Sequence, residues 1–169
     1  MNTYPIGLVP GPVSVPRKIR EAWLTDFGSS DLETEFYDLY AKNQKLVQTL
    51  LGTKESVVIT SGEAMSILWG ALKCTLKPGD RLLAVVSGLF GERLLAVASG
   101  LFGEGFADMA RAIGAEAEVV AFPYDDVPEP EKVREAVRRF RPQLVTAVHC
   151  ETPSGTLNPH LKELGEIAR

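Results

Sequence analysis

Residues 81–92 read RLLAVVSGLFGE and residues 93–104 read RLLAVASGLFGE. Eleven of twelve positions agree, and the copies differ only where Val86 is matched by Ala98. Arg81–Val86 is an apolar run of strand length, of the kind found in a sheet buried on both faces. SGLFGE then supplies the glycines of a turn. A repeat of this length is too short for a solenoid unit, so it reads as a tandem duplication of one strand and its following loop. Only one copy can fill a single strand slot. The other extends the sheet, forms an inserted loop or turns helical, since Leu94–Ala98 has good helix formers. The sequence leaves these three outcomes open.

Outward from this stretch, two kinds of element alternate. Ser56–Thr60 (SVVIT) reads as a buried strand and Glu63–Leu76 as a helix that stops at Lys77-Pro78-Gly79-Asp80. After the repeat come a helix over Gly105–Ile113, a strand over Glu118–Phe122, a helix over Pro130–Phe140 and a strand over Leu144–His149. Pro159–Arg169 begins another helix. Strand and helix in alternation, joined by short connections, predict an α/β fold, a three-layer sandwich with a mainly parallel sheet. Before this region, residues 5–16 (PIGLVPGPVSVP) hold four prolines and two glycines and read as an extended arm. Arg17–Phe27 is expected to be helical, and the arm with this helix forms a first division, residues 1–30. Asp31 is the expected N-cap of a helix over Leu32–Leu51, with Phe36, Leu39, Tyr40, Leu46, Val47, Leu50 and Leu51 as its apolar stripe.

Composition narrows the function. With 169 residues, 45% hydrophobic and 24% charged, the chain can bury a core and is not a disordered type. A formal net charge of -4 without a Lys/Arg cluster argues against nucleic acid or anionic membranes as partners. Arg138, Arg139 and Arg141 form the densest basic run, and they sit at a predicted helix end, where cations suit the dipole. Cys74 and Cys150 have no spacing that suggests a disulfide framework or a metal site. His149 and Cys150 are neighbours, so on a strand they face opposite sides and do not form a nucleophile pair. No apolar run is long enough to span a membrane, and the N-terminus lacks a signal-peptide pattern, so a cytoplasmic protein is expected. No G-x-G-x-x-G follows a strand, which disfavours dinucleotide binding.

Sheets of this kind bind ligands beyond the carboxyl ends of their strands. Three loops there carry candidate chemistry. Ser61-Gly62-Glu63 opens a helix, where backbone N–H groups and a hydroxyl can hold a phosphate. Glu63 must then point away. The repeated SGLFGE places Phe90 or Phe102 between glycines, able to lay its ring on a planar ligand. Residues 150–159 (CETPSGTLNP) are rich in hydroxyls and turn formers. Each loop alone could equally be a cap, a turn or a core aromatic.

Together, LVPGPVSVP, EFYDLY, VVITSGEAM, LKPGDRLLAV, SGLFGER and VHCETPSGTLNP occur in an order that resembles class V, fold-type I pyridoxal-phosphate enzymes, in particular the alanine– and serine–glyoxylate aminotransferases. The resemblance runs over nearly the whole chain and is interrupted by the duplication. It implies that residues 31–169 form an incomplete cofactor-binding large domain and that the cofactor is pyridoxal 5'-phosphate. It puts Ser61, Gly62 and Glu63 at the phosphate turn, Phe90 or Phe102 on the pyridine ring and Thr152 near the phenolic oxygen. Gly11 would border the substrate. The implied reaction moves an amino group between a small amino acid, alanine or serine, and a 2-oxo acid, glyoxylate or pyruvate, in a homodimer. The family's Schiff-base lysine, its pyridinium-binding Asp and its carboxylate-binding Arg match no position here. Lys73, Lys77 and Lys162 fit no such motif, so no catalytic residue is assigned, and the chain alone is expected to be inactive. Two further readings stand beside this one: a class V lyase or aminophosphonate transaminase, and a non-catalytic oligomerising fragment.

Overall fold

The computed structural model describes residues 13–89, 101–123, 126–152 and 154–169, leaving aside the side chains of 88, 89, 101 and 102. The chain divides into two compact units, Ser14–Glu63 and a larger one containing Ala64–Arg169.

In the larger unit, β1 (Arg81–Leu89) pairs in parallel with β2 (Glu116–Pro123) on one side and with β3 (Leu144–Ala147) on the other, giving the order β2-β1-β3. Leu82 aligns with both Ala117 and Leu144, and Ala84 with both Val119 and Thr146. Side chains alternate across a strand, and the two faces of β1 bury into separate clusters. Leu82, Ala84 and Val86 pack with Leu72 of α3 (Ala64–Thr75) and with Ala107, Met109 and Ala110 of α4 (Leu101–Ile113). Val85 packs with Phe122, with Val133 of α5 (Pro130–Phe140) and with Leu164 and Ile167 of α6 (Leu161–Ile167). Two helices on each face of a parallel sheet make the three layers expected from the alternating pattern. Each Leu or Val buried this completely contributes about 1.5–3 kcal/mol.

The structure separates the roles of the repeat. The first copy supplies the central strand, which runs on through Leu89. The second copy supplies, through Leu101–Glu104, the first turn of α4, four residues earlier than the helix expected from Gly105. A Cβ on Gly103 would lie 2.8 Å from Val86 Cγ2, so a glycine here lets α4 close onto the strand. Residues 90–100, between the two elements, lie outside the described residues. The N-terminal ends of the strands are tied by backbone bonds: Glu116 N–H donates to Asp80 O (2.8 Å), and Gln143 N–H donates to Arg81 O (2.9 Å).

In the smaller unit, α1 is Arg17–Ala22, shorter than read from sequence, and α2 is Thr34–Leu51. The N-cap of α2 is Glu33 in place of the expected Asp31. Glu33 Oε1 accepts the Ser29 N–H (2.7 Å), and the Asp31 carbonyl accepts the Tyr37 hydroxyl, so both acidic residues serve the entry turn differently from a simple cap. Phe27 and Phe36 meet edge to face, with ring centroids 5.3 Å apart.

Segment 56–60, expected as a strand, is not one. Its backbone is held by side chains of α2. Tyr40 Oη accepts the Ile59 N–H (3.0 Å) and donates to the Ile59 carbonyl (2.9 Å). Gln44 Nε2 donates to Val57 O, and Gln48 Nε2 donates to Glu55 O. The helical spacing of four thus meets the two-residue spacing of an extended chain. Sequence composition marks a segment able to be a strand, but strand formation needs a neighbouring strand, and among the described residues the paired strands are β1, β2 and β3.

Candidate functional site

All three strands are parallel, so their carboxyl ends share one edge of the sheet. From β1 the chain leads to α4 on one face, and from β3 it leads to α6 on the opposite face. Strand order 2-1-3 with this divergence is a topological switch point, and ligand crevices form beyond the carboxyl ends of the two strands concerned. Ser87, near the end of β1, is buried there, a hydroxyl within an otherwise apolar run of buried residues. Residues 150–158 follow β3.

That loop is a small hairpin. Cys150 and Leu157 form an antiparallel bridge, Glu151 N–H donates to Thr156 O (2.9 Å), and Asn158 N–H donates to His149 O (2.7 Å). Gly155 N–H closes the tip on Glu151 O (2.8 Å), and Ser154 Oγ accepts the Thr156 N–H (3.2 Å). Thr152 sits at this tip, half-buried. Glu151 beside it is fully buried, and neither carboxylate oxygen has a hydrogen-bond partner. Burial pushes its carboxyl above the ordinary glutamate range. The Thr152 N–H opposes this, although its geometry falls short of a hydrogen bond. Sequence reading passed over Glu151 and Asn158, because a polar residue in a turn-rich loop is normally solvated. Their burial follows from the pairing of the two hairpin arms, and no signal within the loop's own sequence marks it.

The other expected residues fall elsewhere. Ser61, Gly62 and Glu63 close the smaller unit and are exposed. Gly62 has φ +145, a backbone that side chains disfavour, and a Cβ there would meet nothing within 4 Å. This open, glycine-dependent turn directly before α3 has the chemistry to accept a phosphate. Gly11 and Phe90 lie outside the described residues, as does the side chain of Phe102, whose backbone is in the first turn of α4. All eight lysines are exposed, Lys73 lying over the Trp69 ring with Nζ 5.8 Å from its centroid. Taken separately, the Thr152 hydroxyl of the larger unit and the open turn at Gly62 of the smaller one each offer donors of a kind that a phosphate-bearing ring compound can use, whereas no lysine has the buried setting of a covalent anchor. Among the described residues there is no cluster of three or more metal-ligating side chains, and no helix is long and apolar enough to cross a membrane.

No family model matches the chain. An uncharacterized aminotransferase of Methanocaldococcus jannaschii is 29% identical over 96% of this chain and 39% of its own length. A 2-aminoethylphosphonate–pyruvate transaminase of Lysinibacillus sphaericus is 26% identical over 99% of this chain and 42% of its own. The relatives are aminotransferases. Among solved structures, ureidoglycine–glyoxylate aminotransferase of Bacillus subtilis superposes with a TM-score of 0.81 at 23% identity, covering 95% of this chain and 38% of that one. That likeness establishes the aminotransferase fold for the larger and smaller units as they occur in sequence. The chain spans about two-fifths of the length of the curated relatives it matches.

Proposed function

We propose that this chain is the cofactor-binding portion of a pyridoxal-phosphate-dependent aminotransferase, one that moves an amino group between a small amino acid such as alanine or serine and a 2-oxo acid such as glyoxylate or pyruvate. The observation that carries the reading is the 2-1-3 parallel sheet, with the Thr152 hairpin following β3 at the carboxyl ends of the strands, where sheets of this kind bind ligands. The names of the matched transaminases supply the reaction class.

In this reading Ser61 and the backbone at Gly62 and Glu63 hold the cofactor phosphate, an aromatic ring from Phe90 or Phe102 covers one face of the pyridine, and Thr152 donates its hydroxyl to the phenolic oxygen. Gly11 borders the substrate. When bound, the cofactor supplies an electron sink for the bonds at the amino acid's α-carbon. The chain's own contribution is to bind and orient it. The exposed Trp23, Leu24, Leu32 and Leu50 of the smaller unit give a second copy apolar surface to cover, in keeping with a homodimer. Two free, exposed cysteines suit a reducing compartment such as the cytoplasm.

Titrating the chain with pyridoxal 5'-phosphate and following cofactor absorbance tests this. Saturable binding that weakens at least tenfold in Gly62→Val and in Thr152→Val is expected. Absence of saturable binding, or binding indifferent to both substitutions, would overturn it.

A further inference from the structure

The hairpin after β3 has two faces. Cys150 and Leu157, the bridged pair, share one face and both are exposed. Side chains alternate along each arm, so Glu151, Thr156 and Asn158 share the other. Glu151 is 0% exposed and Asn158 is 2% exposed. The ladder seats Glu151 opposite Thr156 and Asn158 opposite His149, which makes Glu151 and Asn158 diagonal neighbours on the inner face.

Their unsatisfied groups are complementary. Both Glu151 oxygens and Asn158 Nδ2 are buried without a partner. The other end of the Asn158 amide is already committed, because Oδ1 accepts the His160 N–H (2.9 Å) that leads into α6. An orphaned buried polar group is destabilising, and the native state relieves that cost when a donor and an acceptor on diagonal positions are joined directly or through one water. Burial favours the neutral acid at Glu151, which removes the larger cost of an enclosed charge.

We infer that Glu151 and Asn158 form a buried carboxyl–amide pair that locks the hairpin and so acts as a positioning element for the Thr152 hydroxyl. Glu151 itself touches no ligand in this arrangement. Its backbone already anchors the tip through Gly155, and its side chain fixes the inner face. The hairpin lock stands on the geometry above, while its role toward a ligand rests on the functional reading of Thr152.

Amide hydrogen exchange on the full chain, without cofactor, reads the lock at the Glu151, Gly155 and Asn158 N–H groups, with the buried Val85 amide of β1 reporting the fold as a whole. Glu151→Ala and Asn158→Leu are each expected to lose at least tenfold protection at the three hairpin amides while Val85 stays protected. The double substitution should be no worse than Asn158→Leu alone, which already removes the pair together with the acceptor of the His160 N–H. Glu151→Gln, neutral and of the same shape, should restore protection to within about threefold of the original. Additive losses, or a Glu151→Ala chain with unchanged hairpin protection, would overturn the inference. A loss of Val85 protection in Glu151→Ala is resolved by Glu151→Gln, whose hairpin must remain protected for the inference to hold. Pyridoxal 5'-phosphate titration then separates the two readings. Binding by the original and the Gln chain but weakened tenfold in the Ala chain supports positioning. Equal binding by all three overturns positioning. No binding by the original chain overturns the functional reading, and leaves the lock to be judged by exchange.

Discussion

The two methyl groups of Val86 stand 2.8 and 2.9 Å from where a Cβ on Gly103 would lie. Val86 belongs to the first copy of the repeat and Gly103 to the second, so the duplication packs against itself across the interface between strand and helix. Gly103→Ala is expected to lower stability by about 1–3 kcal/mol through overpacking against a strand that cannot retreat, even though alanine favours helix over glycine by roughly 1 kcal/mol. Chemical denaturation checks this, and a stabilised variant would show that the contact can relax.

Because β1 comes from one copy and α4 from the other, excising residues 90–101 leaves the reading RLLAVVSGL-FGEGFADM, with Leu89 in place of Leu101 ahead of the helix. Such a chain should keep β1 paired through Val86, with Ser87–Leu89 recruited from the strand as the connection to α4, and gain on the order of 1 kcal/mol from the shorter loop. A cooperative thermal transition at or above the original temperature is the expected result. A noncooperative one would mean that the twelve residues are needed for the fold.

Glu151 makes stability depend on pH. Its carboxyl is raised in the folded chain, chiefly by burial. A raised group contributes its stability below the ordinary glutamate value near 4.5 and loses it as pH climbs through the raised value. Glu151→Gln cannot ionise, so its melting temperature should match the original near pH 4, exceed it increasingly as pH climbs from the ordinary glutamate value through the raised one, and stay above it by a constant margin beyond. Equal melting curves at every pH would show that the carboxyl is solvated in the folded state.

Tyr40 both donates to and accepts from the backbone of Ile59. Tyr40→Phe removes both bonds and leaves the ring. Exchange at the Ile59 amide should accelerate about fivefold to tenfold, for a bond worth roughly 1 kcal/mol, with amides of β1 unchanged.

What could be read from the sequence follows the range of the interactions involved. The strands expected over Leu144–His149 and Arg81–Val86 were legible because an apolar run between turn formers records burial on both faces, although the first stops at Ala147. The three layers followed from alternation alone. The end of β1 was not legible, since Ser87 and Gly88 look like a turn until β2 is seen to continue pairing through Ser87. Nor was the division of labour in the repeat, because near-identical copies have near-identical propensities, and the choice between them is made by contacts such as Val86 with Gly103. SVVIT has a strand's composition, but its partner here is a helix. At the candidate site, Thr152 was named through resemblance to a family. The burial of Glu151 beside it depends on the hairpin pairing and has no local signature.

The contacts between α2 and residues 55–59 amount to a vernier. Four helical residues advance about 6.0 Å, and two extended residues advance about 6.6 Å. Tyr40, Gln44 and Gln48 meet Ile59, Val57 and Glu55 in antiparallel sense, so the two scales drift by about 0.6 Å at each step. Three rungs accumulate a misfit that flexible glutamine side chains absorb. A fourth would approach 2 Å of offset, beyond the reach of a well-formed hydrogen bond. The helix stops at Leu51, before that rung is reached. A scaffold of this kind can grip a short extended segment firmly but cannot be lengthened by repetition, and its length is set by arithmetic between two pitches.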